Sequence, residues 1–258
     1  TYTLCMTCHG SAGTGANTNV ADGKYLNRGA PLTSATTVNA DLLGGGFTTF
    51  RGRAVTSAHD ATGASTLGWG NGVVRGQTAA LTSPLNCASC HDPHGSPNYR
   101  IIKANVNAVA VAVTPVDEGA GKNYGAEAWG AGQSALCAAC HSAYHQTAAN
   151  QGSTLQGGSY THRVDMQWNS AYAGPLNPES TGLGGMTLPL AETGAAGAGS
   201  GVVVCQTCHL PHGGSAAMSG IANGGPLGTG TLPGNTSAAD SALLRLDNRA
   251  TCEVCHQK

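Results

Sequence analysis

Apolar residues rarely recur along the 258-residue chain with a period long enough to build an element. Most stretches set single aliphatic side chains among Gly, Ala, Ser, Thr and Asn, a pattern that makes turns and irregular backbone. Residues 132–150 depart from it: Ala-rich, with Gly only at their start and no Pro, they predict a helix. Residues 101–113 alternate Val with small residues toward their end and predict a short strand. A second short helix is expected over 238–246, after the weak N-capping pattern that Ser237 and Asp240 frame. Residues 11–58, 182–201 and 213–235 read as Gly-rich loops, and the second leads into the apolar run Val202, Val203, Val204. The expected fold class is mostly irregular coil with a few short α-helices and minor β.

Composition alone would leave such a chain loose. Aromatic residues make up 5% of it, with two Phe and three Trp against 39 Gly, too few large side chains for an ordinary core. The cysteines change the picture. All ten fall in five copies of Cys-x-x-Cys-His: Cys5, Cys8, His9; Cys87, Cys90, His91; Cys137, Cys140, His141; Cys205, Cys208, His209; and Cys252, Cys255, His256. This pentapeptide is the attachment signature of a c-type haem, in which the thiols add to the vinyl groups and the adjacent imidazole binds iron. Zinc knuckles also use Cys-x-x-Cys, but nothing in their chemistry would keep a His after the second Cys five times over. Five covalently attached haem c groups would leave about 52 residues apiece, too few for separate cores, so the macrocycles would supply much of the apolar interior.

Ten histidines are present, and five of them lie outside the motifs: His59, His94, His145, His162 and His212. That number matches five irons each needing a sixth ligand. Met6, Met166, Met186 and Met218 are the rival ligands; Met6 lies inside a motif and cannot readily reach the far face of its own haem. Ligation by two imidazoles leaves no open position at iron, which points to low-potential electron transfer rather than catalysis, with no catalytic residue. His94 follows His91 by three residues, His212 follows His209 by three, and His145 follows His141 by four. Such short tethers cannot pass round a macrocycle's edge, so each second histidine must serve a different iron.

A repeat underlies this order. Motif, loop histidine, then Cys-x-x-Cys-His-x-Pro-His-Gly runs through His9, His59 and residues 87–95, and again through His141, His162 and residues 205–213. The repeat predicts His59 for the second motif's iron, His94 for the first, His162 for the fourth and His212 for the third, which leaves His145 for the fifth. It also suggests two haem-pair modules, 1–115 and 116–215, followed by a 216–258 segment with the fifth motif, all in one continuous unit.

Net charge is −1, and the twelve Lys and Arg residues are expected to pair partly with haem propionates. A nucleic-acid-binding face is not supported. No run approaches 18 apolar residues, so no membrane span is expected. Covalent haem attachment happens outside the cytoplasm, and no charged-then-apolar leader precedes Thr1. The expected location is therefore secreted, extracellular or at the cell surface, after export through the periplasm.

With these motifs the chain resembles the multihaem c-type cytochromes of metal-respiring bacteria, where Cys-His-x-Pro-His-Gly recurs. Within them it is similar to the filament-forming extracellular group, the OmcE/OmcS-like cytochrome nanowires. The resemblance rests on the motifs, the histidines after them and the Gly/Thr-rich loops. It implies bis-histidine haems stacked in a chain, little regular secondary structure, and self-assembly into a conductive filament. The partners it implies are further copies of the chain and electron donors and acceptors such as other cytochromes or extracellular metal oxides. Five motifs depart from the four- and six-haem filament proteins. The rival reading is a discrete periplasmic or outer-surface electron shuttle. A multihaem reductase of the ammonia-forming kind would use Cys-x-x-Cys-Lys, which does not occur.

Overall fold

The computed structural model describes residues 1–26, 41–71, 77–114, 129–145, 162–168, 177–179, 185–192, 201–218 and 241–256. Coil predominates, with a few helices and minor strands. Helix α1 spans Tyr2–His9, α2 Cys87–Cys90, α3 Gln133–Ala138, α4 Cys205–Cys208 and α5 Ala250–Glu253. Each holds the first cysteine of one motif. A helical turn puts residues i and i+3 on one face, which is the spacing of the two thiols. The turn closes by donation from the histidine N–H to the first cysteine's carbonyl, at 3.1 Å for His91, 2.8 Å for His141, 3.0 Å for His209 and 2.8 Å for His256. Local capping starts the second and fourth turns: Asn86 Oδ1 accepts from Ala88 N–H at 2.9 Å, and Thr207 Oγ1 accepts from Val204 N–H at 3.0 Å.

Strands are two to four residues long among the described residues. Trp129–Gly130, Ala191–Glu192, Val202–Val203 and Met166–Gln167 form one sheet in that order, the first pair parallel and the others antiparallel. Ser57–Ala58 pairs antiparallel with Gly213–Gly214 and so joins distant parts of the chain. At Gly45 (φ +80°) a side chain's Cβ would come within 2.0 Å of the Gly213 carbonyl oxygen, so this crossing of two backbones needs glycine. Thr56 and Ser57 reinforce the joint through Ser241, at 2.9 and 2.7 Å. Arg245 is half-buried beside it and donates to the carbonyls of Gln206 (2.7 Å) and Leu43 (2.9 Å). Burial, and then the charge of Arg51, pull its pKa down to about 9.

Among the described residues hydrophobic packing is divided into small clusters. One cluster gathers Tyr99, Ile102, Val106, Val111, Val113 and Ala139; smaller ones centre on Tyr25 with Leu42 and on Ala191 with Val204. No helix among the described residues is long and apolar enough to cross a membrane.

Three expectations change in detail. The helix predicted over 132–150 is present as α3 and a 3-10 turn, Ser142–Tyr144, while residues 146–150 lie outside those described. The strand predicted over 101–113 is instead a small hairpin, Asn105–Val106 with Val109–Ala110, turned by Asn107 and Ala108 at positive φ. Of the helix predicted over 238–246, residues 238–240 lie outside those described. Residues 241–246 form turns, with Ala242 and Leu243 at φ +50° and +63°. Left-handed backbone cannot continue an α-helix.

Asn98 is the polar rivet of the largest cluster. Its Nδ2 donates to the carbonyls of Val111 (2.9 Å) and Lys103 (3.2 Å), and its Oδ1 accepts from Val113 N–H at 2.9 Å. Asn98→Ala would strand these partners, and chemical denaturation should register a loss of about 2–4 kcal/mol. A loss under about 0.5 kcal/mol would contradict its role.

Candidate haem-binding sites

The five motifs stand in space in chain order, and their thiols mark the sequence of contacts. Cys87 lies close enough to Cys5 for that thiol, after burial, to raise its pKa. On the other side of the same motif, Cys90 lies close enough to Cys140 for that thiol to raise its pKa, after burial, to about 11. Cys137 and Cys205 are close neighbours, and each is the first cause of the other's shift, upward for Cys137 and downward for Cys205. Cys208 is driven up to about 12 by burial first and then by Cys255, with a smaller push from Cys252. Each of the three middle motifs thus meets its predecessor through one thiol and its successor through the other. All ten thiols are free.

Imidazoles from different segments face one another in three pairs. His91 and His212 have ring centres 6.3 Å apart, His141 and His59 6.0 Å, and His256 and His162 6.1 Å. An iron between two imidazoles needs about 2 Å for each metal–nitrogen bond and about 1 Å from each nitrogen to its ring centre, or about 6 Å in all. The residues present therefore fit a haem iron at these three places. No group of three or more His, Cys, Asp or Glu side chains converges as a metal site among the described residues. Thiols at edges and imidazoles in opposed pairs suit a planar group better than a tetrahedral ion.

Hydrogen bonds set the tautomers. Nδ1 of His91 donates to the Arg100 carbonyl (3.1 Å), that of His141 to Trp69 (2.6 Å) and that of His209 to Ala242 (2.8 Å). His59 does the same to Pro211 at 2.6 Å and His162 to Arg163 at 2.7 Å, while His9 Nδ1 meets Thr18 Oγ1 at 2.6 Å. With the proton fixed on Nδ1, Nε2 is left with its lone pair for a metal. Surrounding protein lowers the pKa of His91, His141 and His209, although His209 still presents surface to solvent. His212 is pushed down to about 3, by burial first and His91 next. The Gly45 backbone pulls His212 the other way, without a hydrogen bond of good geometry to Nδ1. Neutral imidazole is the state that ligates iron.

One local device repeats. After α2 the chain returns so that Asp92 N–H bonds Ile101 and Lys103 N–H bonds Cys90; after α4, Leu210 bonds Leu243 and Arg245 bonds Cys208. In both places two consecutive residues, Arg100 and Ile101 or Ala242 and Leu243, take positive φ. The first of each pair gives its carbonyl to the histidine's Nδ1. Sequence reasoning missed this; the only signal was the shared aliphatic pair and base, Ile101-Ile102-Lys103 and Leu243-Leu244-Arg245.

The pairing expected from chain order is not the one observed. His59 faces His141 rather than His91, His212 faces His91 rather than His141, and His162 faces His256 rather than His209. The cause is the joint between 57–58 and 213–214, which sets His59 N–H on the His212 carbonyl at 3.2 Å and sends the two rings to neighbouring motifs. His145, expected to serve the fifth motif, instead gives Nε2 to Asp165 Oδ2 at 2.7 Å. That carboxylate raises its pKa. His94 is exposed, and its backbone N–H bonds Asp92 Oδ1. No imidazole faces His9 or His209 as in the three pairs, among the described residues. Phe47 stacks on His212 with centres 5.0 Å apart, and Tyr2 meets Phe47 edge-on.

Residues 80–109 match the family model described as "Doubled CXXCH motif". The matched stretch contains the second motif, Cys87 to His91. No curated relative and no solved structure matches the chain. The motifs indicate covalently bound haem c. Together with the coil-rich fold they point to a multihaem c-type cytochrome, a class typically exported.

Thr18 tests the tautomer argument at the first motif. When iron takes His9 Nε2, the Nδ1 proton donates to Thr18 Oγ1, making the imidazole a stronger donor that favours ferric iron. Thr18→Val should raise that haem's potential by about 40 mV, equivalent to one hydrogen bond of about 1 kcal/mol. Spectroelectrochemical titration reads the shift; an unchanged or lowered potential would refute the assignment.

Proposed function

We propose that this chain is a five-haem c-type cytochrome that passes electrons along its length, as the subunit of an extracellular filament. The order of the thiols carries the reading. A thioether would tie each sulfur to the edge of its macrocycle, so thiols that neighbour one another in series support groups that approach edge to edge. Haem iron bound in this way takes up and releases single electrons. The chain's own residues hold the series in place. His9, His91, His141, His209 and His256 would act as proximal ligands, and His212, His59 and His162 would complete the second, third and fifth irons. Backbone carbonyls orient most of these rings, and burial keeps several neutral.

Exposure at the two ends of the series supports relay rather than storage. Cys8 and His9 are exposed in the first motif, as are Cys252 and His256 in the last. Leu4 on α1 is 76% exposed, and no residue of that helix is buried. Electrons can thus enter and leave at either end, from a further copy of the chain, another cytochrome or a metal oxide. With 10% charged residues and a net charge of −1, repulsion between copies is weak.

Intact mass of the mature protein, before and after thiol alkylation, should show the polypeptide plus five haems and no alkylated cysteine. Electron micrographs of the same preparation should show fibres. Five haems on a stable monomer in sedimentation would favour a discrete shuttle, and any alkylatable thiol would defeat the count of five.

A further inference from the structure

His145 is built differently from the other candidate ligands. His59, His91, His141, His162 and His209 all place Nδ1 on a backbone carbonyl and keep Nε2 free. His145 has its Nε2, the nitrogen iron would need, on Asp165 Oδ2 at 2.7 Å. Both partners are anchored. Ala143 N–H bonds the Gly70 carbonyl at 3.0 Å, and Trp69 Nε1 donates to the Tyr144 hydroxyl at 3.0 Å, which fixes the turn that presents His145. Asp165 N–H bonds the Val203 carbonyl at 2.7 Å, next to the pairing of Met166–Gln167 with Val202–Val203. Asp165 holds φ at +56°, a conformation costly for a residue with a side chain.

The pair sits beside the fourth motif. Val203 lies two residues before Cys205, and Cys205 and His145 are near enough to perturb each other electrostatically. The iron that His145 would serve is thus the one carried by His209. Three facing pairs use six of the ten histidines, and His9 and His209 are proximal. With His145 on a carboxylate, only His94 remains for the irons of the first and fourth motifs.

We propose that Asp165 holds His145 away from the haem carried by His209, leaving that iron an axial position open to a small exogenous ligand such as carbon monoxide or cyanide. The inference rests on the haem reading above, and haem stoichiometry separates the two: fewer than five haems by mass would mark failure of that reading, not of this one.

Paramagnetic resonance and magnetic circular dichroism of the oxidised holoprotein should show at least one high-spin haem per chain. The reduced protein should bind about one carbon monoxide per chain. His145→Ala should leave both readings unchanged; where that variant fails to mature, His145→Gln serves. Asp165→Gly, which suits the positive φ and removes the carboxylate, should free His145 to ligate. The high-spin signal should then fall by one haem and the bound carbon monoxide with it. A wild-type protein that is wholly low-spin and binds no carbon monoxide overturns the proposal without any variant. So does a high-spin haem gained on replacing His145, and an Asp165→Gly variant with an unchanged signal overturns the role given to Asp165.

Discussion

A ligating imidazole is oriented, and made a stronger donor, when its second nitrogen gives its proton to a nearby acceptor, and backbone carbonyls around the motifs are placed to accept it. The carbonyls of Arg100, Trp69, Ala242 and Pro211 are aimed at ring nitrogens of His91, His141, His209 and His59. Two of these carbonyls come from residues held at positive φ, beside a second such residue. Each non-glycine residue in that region costs about 1–2 kcal/mol. The strain recurs in the same place after α2 and α4, which argues that it belongs to the device and is not an accident of either loop. Ladder bonds on both sides of each strained pair, such as Lys103 to Cys90 and Arg245 to Cys208, hold it.

The scaffold that carries these carbonyls has little apolar mass of its own. Its clusters are small, and much of the long-range joining is polar. Ser241 meets Thr56 and Ser57, Arg245 reaches two backbone carbonyls, and Gln206 Nε2 meets Gln133 Oε1 at 3.0 Å. Small residues serve this design because backbones can then cross closely, as Gly45 and Gly213 do. Thiols of successive motifs lie near one another along one series, where covalent attachment would act. Function and stability then draw on the same bonds, which accounts for a sequence so poor in large side chains.

The motifs were legible in the sequence because their chemistry is local: two thiols and a histidine on one helical turn need only five residues. The coil-rich fold was legible for a related reason, since nothing in the chain sustains a hydrophobic period. The pairing of imidazoles was not. It depends on Ser57–Ala58 meeting Gly213–Gly214, and neither dipeptide carries a signal that names its partner. Chain order therefore assigned His59 and His212 each to the other's motif. The turn at Asn107 and Ala108 was hidden because no glycine marks it, and the Asp165 contact to His145 was hidden because a single carboxylate twenty residues away is indistinguishable from any surface acid. Local codes were readable, and long-range ones were not.

In the proposed relay five haems would stand in chain order, each meeting the next at the edge where its thioethers would attach. An electron-microscopy or crystallographic map of the haem-loaded protein measures this directly. It should show first to fifth groups in unbroken succession, with His91 and His212, His141 and His59, and His256 and His162 on opposite faces of the second, third and fifth irons. A series in another order, or a gap between consecutive groups where Cys5 meets Cys87 or Cys137 meets Cys205, would contradict it.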